Sequence, residues 1–394
     1  MNFEHDGFMR RAAVYAPADW LRRHSATGVP LPVVFILPDG ANGYAPNGTA
    51  EACARRTGFY PESTDINERY VNWVDAYGLP VYPGEPPYDD LFVAVFCEPL
   101  ITQWVPLWHR ESGSGSIVRN SNRGLDGTWT DHASYMAIAH DTDDVGYIRK
   151  VHDLLYERFE AIRPGALDPV RKYVVGEGSG GTMVFKLWQS VQDRRTPGFA
   201  QRMVIVNGTI GGYPRRLDHP ERPRVWLPEP APLAVTPDLL FLTGAQDDWL
   251  PLDEDSDGVS YSTTAYLGSA YRTLVQSSLQ VFAWQQLGLG GTGTFSAERA
   301  PLHVTPRSSL QAWRDAYHPG VSSTTRPWTP FGAPAFPGWP PGSTPSFELD
   351  RWETASGGDT LTTIHLNDLN GIHAYDSMYT RIIWEFFKNP LSIA

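Results

Sequence analysis

Chemistry concentrates in the stretch Lys172-Tyr173-Val174-Val175-Gly176-Glu177-Gly178-Ser179-Gly180-Gly181-Thr182-Met183-Val184-Phe185-Lys186-Leu187. A β-branched and aromatic run leads into small residues, and an apolar pattern of helical spacing follows: strand, tight turn, helix. A turn this sharp accepts only small residues two places either side of its tip, because a Cβ there would strike the neighbouring strand or helix. With Gly178 at the tip, Gly176 and Gly180 fill those places and the tip carries no side chain. With Ser179 at the tip a hydroxyl is gained, which a nearby base could turn into a nucleophile. Glu177 then falls where a long charged side chain is awkward. A phosphate-cradling loop is a further reading, but neither the Gly-Lys-Ser/Thr ending nor the G-x-G-x-x-G order is present.

The run Tyr173 to Met183 resembles the nucleophile elbow of α/β-hydrolases, in the G-x-S-x-G-G-x-M form of the polyhydroxybutyrate depolymerase and feruloyl esterase-like group. In the ungapped register the family's serine falls on Gly178; otherwise the nucleophile has moved to Ser179. The resemblance implies an acid after a later strand, where Ala245-Gln246-Asp247-Asp248-Trp249-Leu250-Pro251 is similar to the family's Gly-x-x-Asp-x-x-Val-Pro loop. Asp247 takes the acid's place and Asp248 is the fallback. It implies a base in a loop before the last helix, a place that His373 matches ahead of Trp384-Glu385-Phe386-Phe387. His365, inside a predicted strand, is the competitor. The loop Asp39-Gly40-Ala41-Asn42-Gly43 stands where relatives carry His-Gly, so the amides of Gly40 and Ala41 would hold an oxyanion, joined by that of Ser179 if Gly178 is the tip.

Such a set hydrolyses carboxylic esters through a serine, a histidine and an aspartate. It implies a small-molecule or polymeric ester as substrate and no cofactor. Two other readings stay open. One is a non-hydrolytic pseudoenzyme or binding protein that keeps the cleft without the nucleophile; the other is a non-covalent enzyme in which His373 with Asp247 activates water.

Composition narrows the partners. A formal net charge of −12 over 394 residues argues against general affinity for nucleic acid or anionic membranes, because the long-range field repels phosphate. No stretch is apolar for long enough to span a bilayer, and Met1 to Asp6 lacks the basic-then-apolar order of a secretory signal. The expected location is the cytoplasm, or the exterior as a processed form. Cys53 and Cys97 are too few for a disulfide scaffold or a thiolate zinc site, so a buried free thiol is the default and a single bridge the alternative. Fourteen Trp and 34 Pro suit long ordered loops pinned by aromatic rings. Asp253, Asp255, Asp257 and Gly258 match the first half of a calcium loop, but Thr264 stands where its bidentate Glu belongs.

The elements that must position these residues read as an α/β fold, a mostly parallel doubly wound sheet with helices on both faces. Arg11 to Tyr15 reads as an edge strand. Pro30 to Leu37 and Leu91 to Phe96 are near-continuous apolar runs, as strands buried on both faces require. Asn47 to Thr57 reads as helical. Asp141 to Asp144 suit the amino end of a helix through Leu155, where carboxylates accept from free amides. Met203 to Gly208 and Asp238 to Gly244 are further core strands, Thr264 to Leu287 is helical, and Leu349 to Ala355 pairs with Thr360 to Leu366. Pro319 to Pro345, dense in Pro, Gly and aromatics, reads as an ordered lid or cleft wall, since proline excludes helix and central strand. The expected organisation is one domain over 1–394, with insertions at about 57–90 and 103–132 and a lid-like loop at about 288–348.

Overall fold

The computed structural model describes residues 1–5, 7–16, 20–38, 92–98, 100–101, 104–105, 118–119, 127–128, 144–178, 180–181, 183–184, 187, 199–208, 237–245, 306–328, 347–356, 359–369 and 377–390. Its strands are β1 (Asn2–His5), β2 (Phe8–Tyr15), β3 (Leu31–Leu37), β4 (Val93–Cys97), β5 (Leu100–Ile101), β6 (Trp104–Val105), β7 (Val118–Arg119), β8 (Gly127–Thr128), β9 (Leu167–Glu177), β10 (Arg202–Val206), β11 (Asp238–Gly244), β12 (Arg326–Trp328), β13 (Phe347–Ser356) and β14 (Asp359–Asp368). The described helices are α1 (Trp20–Thr27), α2 (Asp144–Ile162), α3 (Pro306–Tyr317) and α4 (Ser377–Lys388), and Gly180, Gly181, Met183, Val184 and Leu187 are helical directly after the turn.

Among the described residues ten strands form one sheet in the order β1-β2-β4-β3-β9-β10-β11-β14-β13-β12. From β4 through β14 every neighbouring pair is parallel, while β2 runs antiparallel to β4 and β13 antiparallel to β14. Two small ladders, β5 with β8 and β6 with β7, lie inside the span 103–132 and its approach. The crossover from β3 goes to β4 on one side and that from β9 to β10 on the other. The carboxyl ends of β3 and β9 are therefore the topological switch point, the crevice where open α/β sheets bind ligands.

Burial follows the expected pattern for a sheet covered on both sides. All seven residues of β3 are buried, with Val33, Phe35 and Leu37 facing one core and Val34 and Ile36 the other. The first core takes α2 through Tyr147, Ile148, Val151 and Leu155, α3 through Leu310 and Trp313, and the post-turn helix through Met183, Val184 and Leu187. The second takes α4 through Ile382, Ile383, Phe386 and Phe387, each side chain worth about 1.5–3 kcal/mol when fully buried. Phe387 stacks on Tyr173 of β9 with ring centroids 4.5 Å apart, which fixes α4 behind the strand that leads to the turn.

Two expectations are corrected. The strand expected over Arg11 to Tyr15 begins at Phe8, and β1 pairs with its first half, Phe8 to Arg11, so that β1 and not β2 is the outermost strand in the sheet order. Asp144 does begin α2, but it is fully buried and its Oδ1 accepts from Arg10 Nη2 at 2.6 Å, so it ties the helix to β2 as well as serving the helix end. Cys97 is a free, buried thiol, and burial pushes its pKa well up; Cys53 lies outside the described residues. The β13–β14 pairing runs as expected, closing at Ser356 opposite Asp359. Within 288–348 the described residues hold α3, the edge strand β12 and the first two residues of β13. Pro327 sits in that edge strand, where its missing N–H interrupts no interior ladder. The helices expected at 47–57 and 264–287, and the insertion at 57–90, lie outside the described residues.

Candidate active site

The bend after β9 is built around close backbone approach. Gly178 has φ 54°, in the left-handed region that favours glycine, and is buried. Its N–H donates to Val206 O at 2.8 Å, which fastens the bend to the end of β10. A Cβ on Gly176 would lie 2.2 Å from Gly180 O, and one on Gly180 would lie 2.0 Å from Leu37 O. Gly178 thus takes the left-handed conformation with a residue that must lack a side chain two places to either side. The second of these contacts also sets the first turn of the following helix against the exit of β3, from which the loop with Gly40 and Ala41 departs. Glu177, one place before the bend, is buried.

Hydrogen bonds continue along the carboxyl ends of the strands. Asn207, directly after β10, has φ 49° and is 2 % exposed; its N–H donates to Leu242 O at 2.9 Å and its Oδ1 accepts from Gly244 N–H at 3.1 Å. Gly208 packs so closely on the helix start that a Cβ there would come within 2.9 Å of Gly181 Cα. Ala245 N–H, just past β11, donates to Asp368 O at 2.8 Å, and Tyr379 O–H of α4 donates to the buried Asp368 Oδ2 at 3.0 Å. The chain that leads to residue 247 and the chain that leads to residue 373 thus start side by side. Both ends of the segment 369–376 are held at one rim. Asn207 carries no titratable or nucleophilic group and escaped attention in the sequence; its one signal was the Asn-Gly pair closing a strand, a common left-handed turn.

Of the sequence-derived site residues, Gly178 is described. Ser179, Gly40, Ala41, Asp247 and His373 lie outside the described residues, as do Asp39, Asp248 and the calcium-loop candidates Asp253, Asp255 and Asp257. Among the described residues no group of three His, Cys, Asp or Glu could hold a metal ion, and no helix is long and apolar enough to cross a membrane.

His365 occupies the interior of β14 on the face covered by α3. It is buried, its Nε2 lies 2.8 Å from Thr243 Oγ1, and its Nδ1 lies 3.6 Å from Asp350 Oδ2. The imidazole beside Asp350 holds that carboxyl below its ordinary range, and a hydrogen bond from Thr325 Oγ1 at 2.6 Å acts in the same direction against partial burial. These groups join β11, β14 and β13 from inside the sheet.

No protein-family model matches the chain, and no curated protein matches it by sequence. Among solved structures it is similar to an acetyl xylan esterase from Aspergillus awamori, at 11 % identity over 95 % of this chain and 93 % of that one, with a TM-score of 0.43. It is also similar to an S-formylglutathione hydrolase from Staphylococcus aureus, at 16 % identity over 63 % of this chain and 76 % of that one, TM-score 0.32. A third similar structure is a fluorophosphonate-binding serine hydrolase from Staphylococcus aureus, at 14 % identity over 63 % and 78 %, TM-score 0.30.

Proposed function

We propose, from its strand order and the left-handed bend after β9, that the chain is an α/β-hydrolase whose rim is a carboxylic ester site in which Gly178 stands where hydrolytic relatives carry the nucleophile. In this reading His373 takes and returns a proton, Asp247 holds the imidazole in its productive tautomer, and the amides of Gly40, Ala41 and Ser179 hold the oxyanion. The spans 57–90, 103–132 and 288–348 are insertions of a single domain that shape the approach of a small-molecule or polymeric ester.

The observation that carries the reading is the left-handed bend at Gly178 between two glycines whose Cβ positions are filled by backbone. With no side chain at the tip, attack on the ester falls to Ser179 or to water activated by His373, and turnover is slow. The same bare tip favours the second reading, a protein that binds esters without cleaving them.

Gly178→Ser tests this directly. It should gain fluorophosphonate labelling and raise hydrolysis of short p-nitrophenyl esters by roughly 10²–10⁴-fold, a gain lost on adding His373→Ala. Labelling of the unaltered chain at Ser179 would select the displaced nucleophile. Turnover that survives Ser179→Ala but not His373→Ala would select activated water. Thermal stabilisation by ester analogues with no turnover would select binding alone. A Gly178→Ser protein that is folded, unlabelled and inactive would overturn the site.

A further inference from the structure

Asn207 is the only non-glycine residue with positive φ among the described residues, and it lies between the bend at Gly178 and the end of β11. A left-handed backbone at a residue with a Cβ costs of order 1 kcal/mol and persists where surrounding contacts over-determine it. Here they do so on both sides. Val206 O receives the Gly178 N–H, Asn207 N–H reaches Leu242 O, and the carboxamide oxygen receives Gly244 N–H at 3.1 Å. Gly244 is the last residue of β11, so its amide points along the sheet at the place where a strand ladder would otherwise end. A glycine at 207 would adopt the same φ with less strain, yet would leave the Gly244 amide without this acceptor.

We propose that Asn207 is a positioning residue: its carboxamide sets the direction in which the chain leaves β11, and with it the carboxylate of Asp247 relative to the elbow. The second half rests on the ester-site reading above; the first half does not. Asn suits the task because it tolerates the left-handed region and offers a side-chain acceptor three bonds from Cα. Asp keeps both properties, Gly keeps only the first, and this difference separates backbone strain from hydrogen bonding.

Two readouts on the full chain test the halves separately. Amide hydrogen exchange at Gly244 and Ala245 should quicken by about tenfold in Asn207→Gly, as expected for the loss of about 1.4 kcal/mol of local protection, and stay near the unaltered rate in Asn207→Asp. Equal exchange in Asn207→Gly, or quickening in both variants, overturns the positioning role. The imidazole titration of His373, followed by NMR, reads the consequence. A carboxylate partner raises the pKa of a histidine, so Asp247→Asn should lower it, and Asn207→Gly should lower it in the same direction while Asn207→Asp does not. If Asp247→Asn leaves His373 unmoved, the Asp247–His373 pairing fails and the exchange data alone decide the role of Asn207. If Asp247→Asn lowers the titration but Asn207→Gly does not, the pairing stands and the link from Asn207 to it is overturned.

Discussion

Two kinds of glycine do different work in this chain, and they separate at the level of single atoms. Gly320 has φ 77° with nothing within 4 Å of an added Cβ, so its requirement is conformational only. Gly180 has no such φ, but its Cβ position lies 2.0 Å from Leu37 O and 2.8 Å from Pro38 O, both backbone atoms that cannot swing aside. Gly320→Ala is therefore expected to cost about 1 kcal/mol, whereas Gly180→Ala should cost more than about 3 kcal/mol or prevent folding. Urea midpoints of the two variants compare them; similar values would mean that the bend does not need the close approach described. At Gly178 the left-handed φ of 54° strains any residue that carries a Cβ, serine included.

Between elements, α3 is fastened to the sheet by an ordered chain of polar groups. Trp313 Nε1–H donates to Thr363 Oγ1 at 3.1 Å, and His318 bridges Thr363 Oγ1 at 2.8 Å and Thr354 Oγ1 at 2.7 Å. Thr354 Oγ1 in turn donates to Tyr317 O at 3.3 Å. Every valence is satisfied if His318 is neutral with its proton on Nδ1: Thr354 accepts from it, and Thr363 donates to Nε2. Burial pushes the His318 pKa down to about 4, against about 6.5 in the unfolded chain. As pH falls the unfolded chain takes up this proton first, so the contribution is whole above about pH 6.5 and is lost progressively toward pH 4, by up to about 3 kcal/mol. His318→Gln, neutral throughout, should flatten the fall in stability between pH 7 and 4.5 measured by urea unfolding. His152, also lowered by burial, acts in the same direction in both proteins, so the difference between them reports His318. Identical slopes would show that His318 is not buried as a neutral ring.

Across the whole molecule, side-chain contacts far apart in sequence, most of them to α2, add to the β2–β4 ladder in holding the first two strands to the rest. Arg10 pairs with Asp144, both fully or nearly fully buried, and its guanidinium lies 3.9 Å from the centre of the Tyr147 ring. Lys150 Nζ donates to Glu4 O at 2.9 Å, and Arg11 lies 3.6 Å from the buried Glu98. Removing one partner of a buried pair strands the other charge, so Asp144→Ala should cost about 3–5 kcal/mol, while the apolar pair Arg10→Met with Asp144→Leu should cost far less. Guanidinium unfolding checks both; a cheap Asp144→Ala would mean that water reaches Arg10. The pair lies remote from the switch point in sheet order, three strands from the bend, so ester turnover per folded molecule should be unchanged by the double substitution.

The order of local signals determined a great deal by itself. Buried parallel strands cannot be polar on either face, so Leu31–Leu37, Val93–Cys97, Arg202–Val206 and Asp238–Gly244 stood out as apolar runs, and the small residues around 178 marked the bend because only they permit it. Which residue forms the point of that bend was not legible, since Gly178 and Ser179 both have a glycine two places on; what folding adds is the left-handed φ of Gly178 and the backbone contacts that keep Gly176 and Gly180 bare. Position in the sheet was equally hidden. Arg11 to Tyr15 looked like an edge because nothing local shows that Asn2–His5 pairs with Phe8 to Arg11 ahead of it, and Asp144 looked like a simple helix cap because its partner Arg10 is 134 residues away. The helix over Pro306–Tyr317 was lost in a Pro- and Gly-rich neighbourhood although Leu310, Trp313 and Tyr317 keep helical spacing. Asn207 shows the limit most clearly: an uncharged side chain acquires a role only when folding sets the end of one strand against the end of another, and no pattern along the chain encodes which ends will meet.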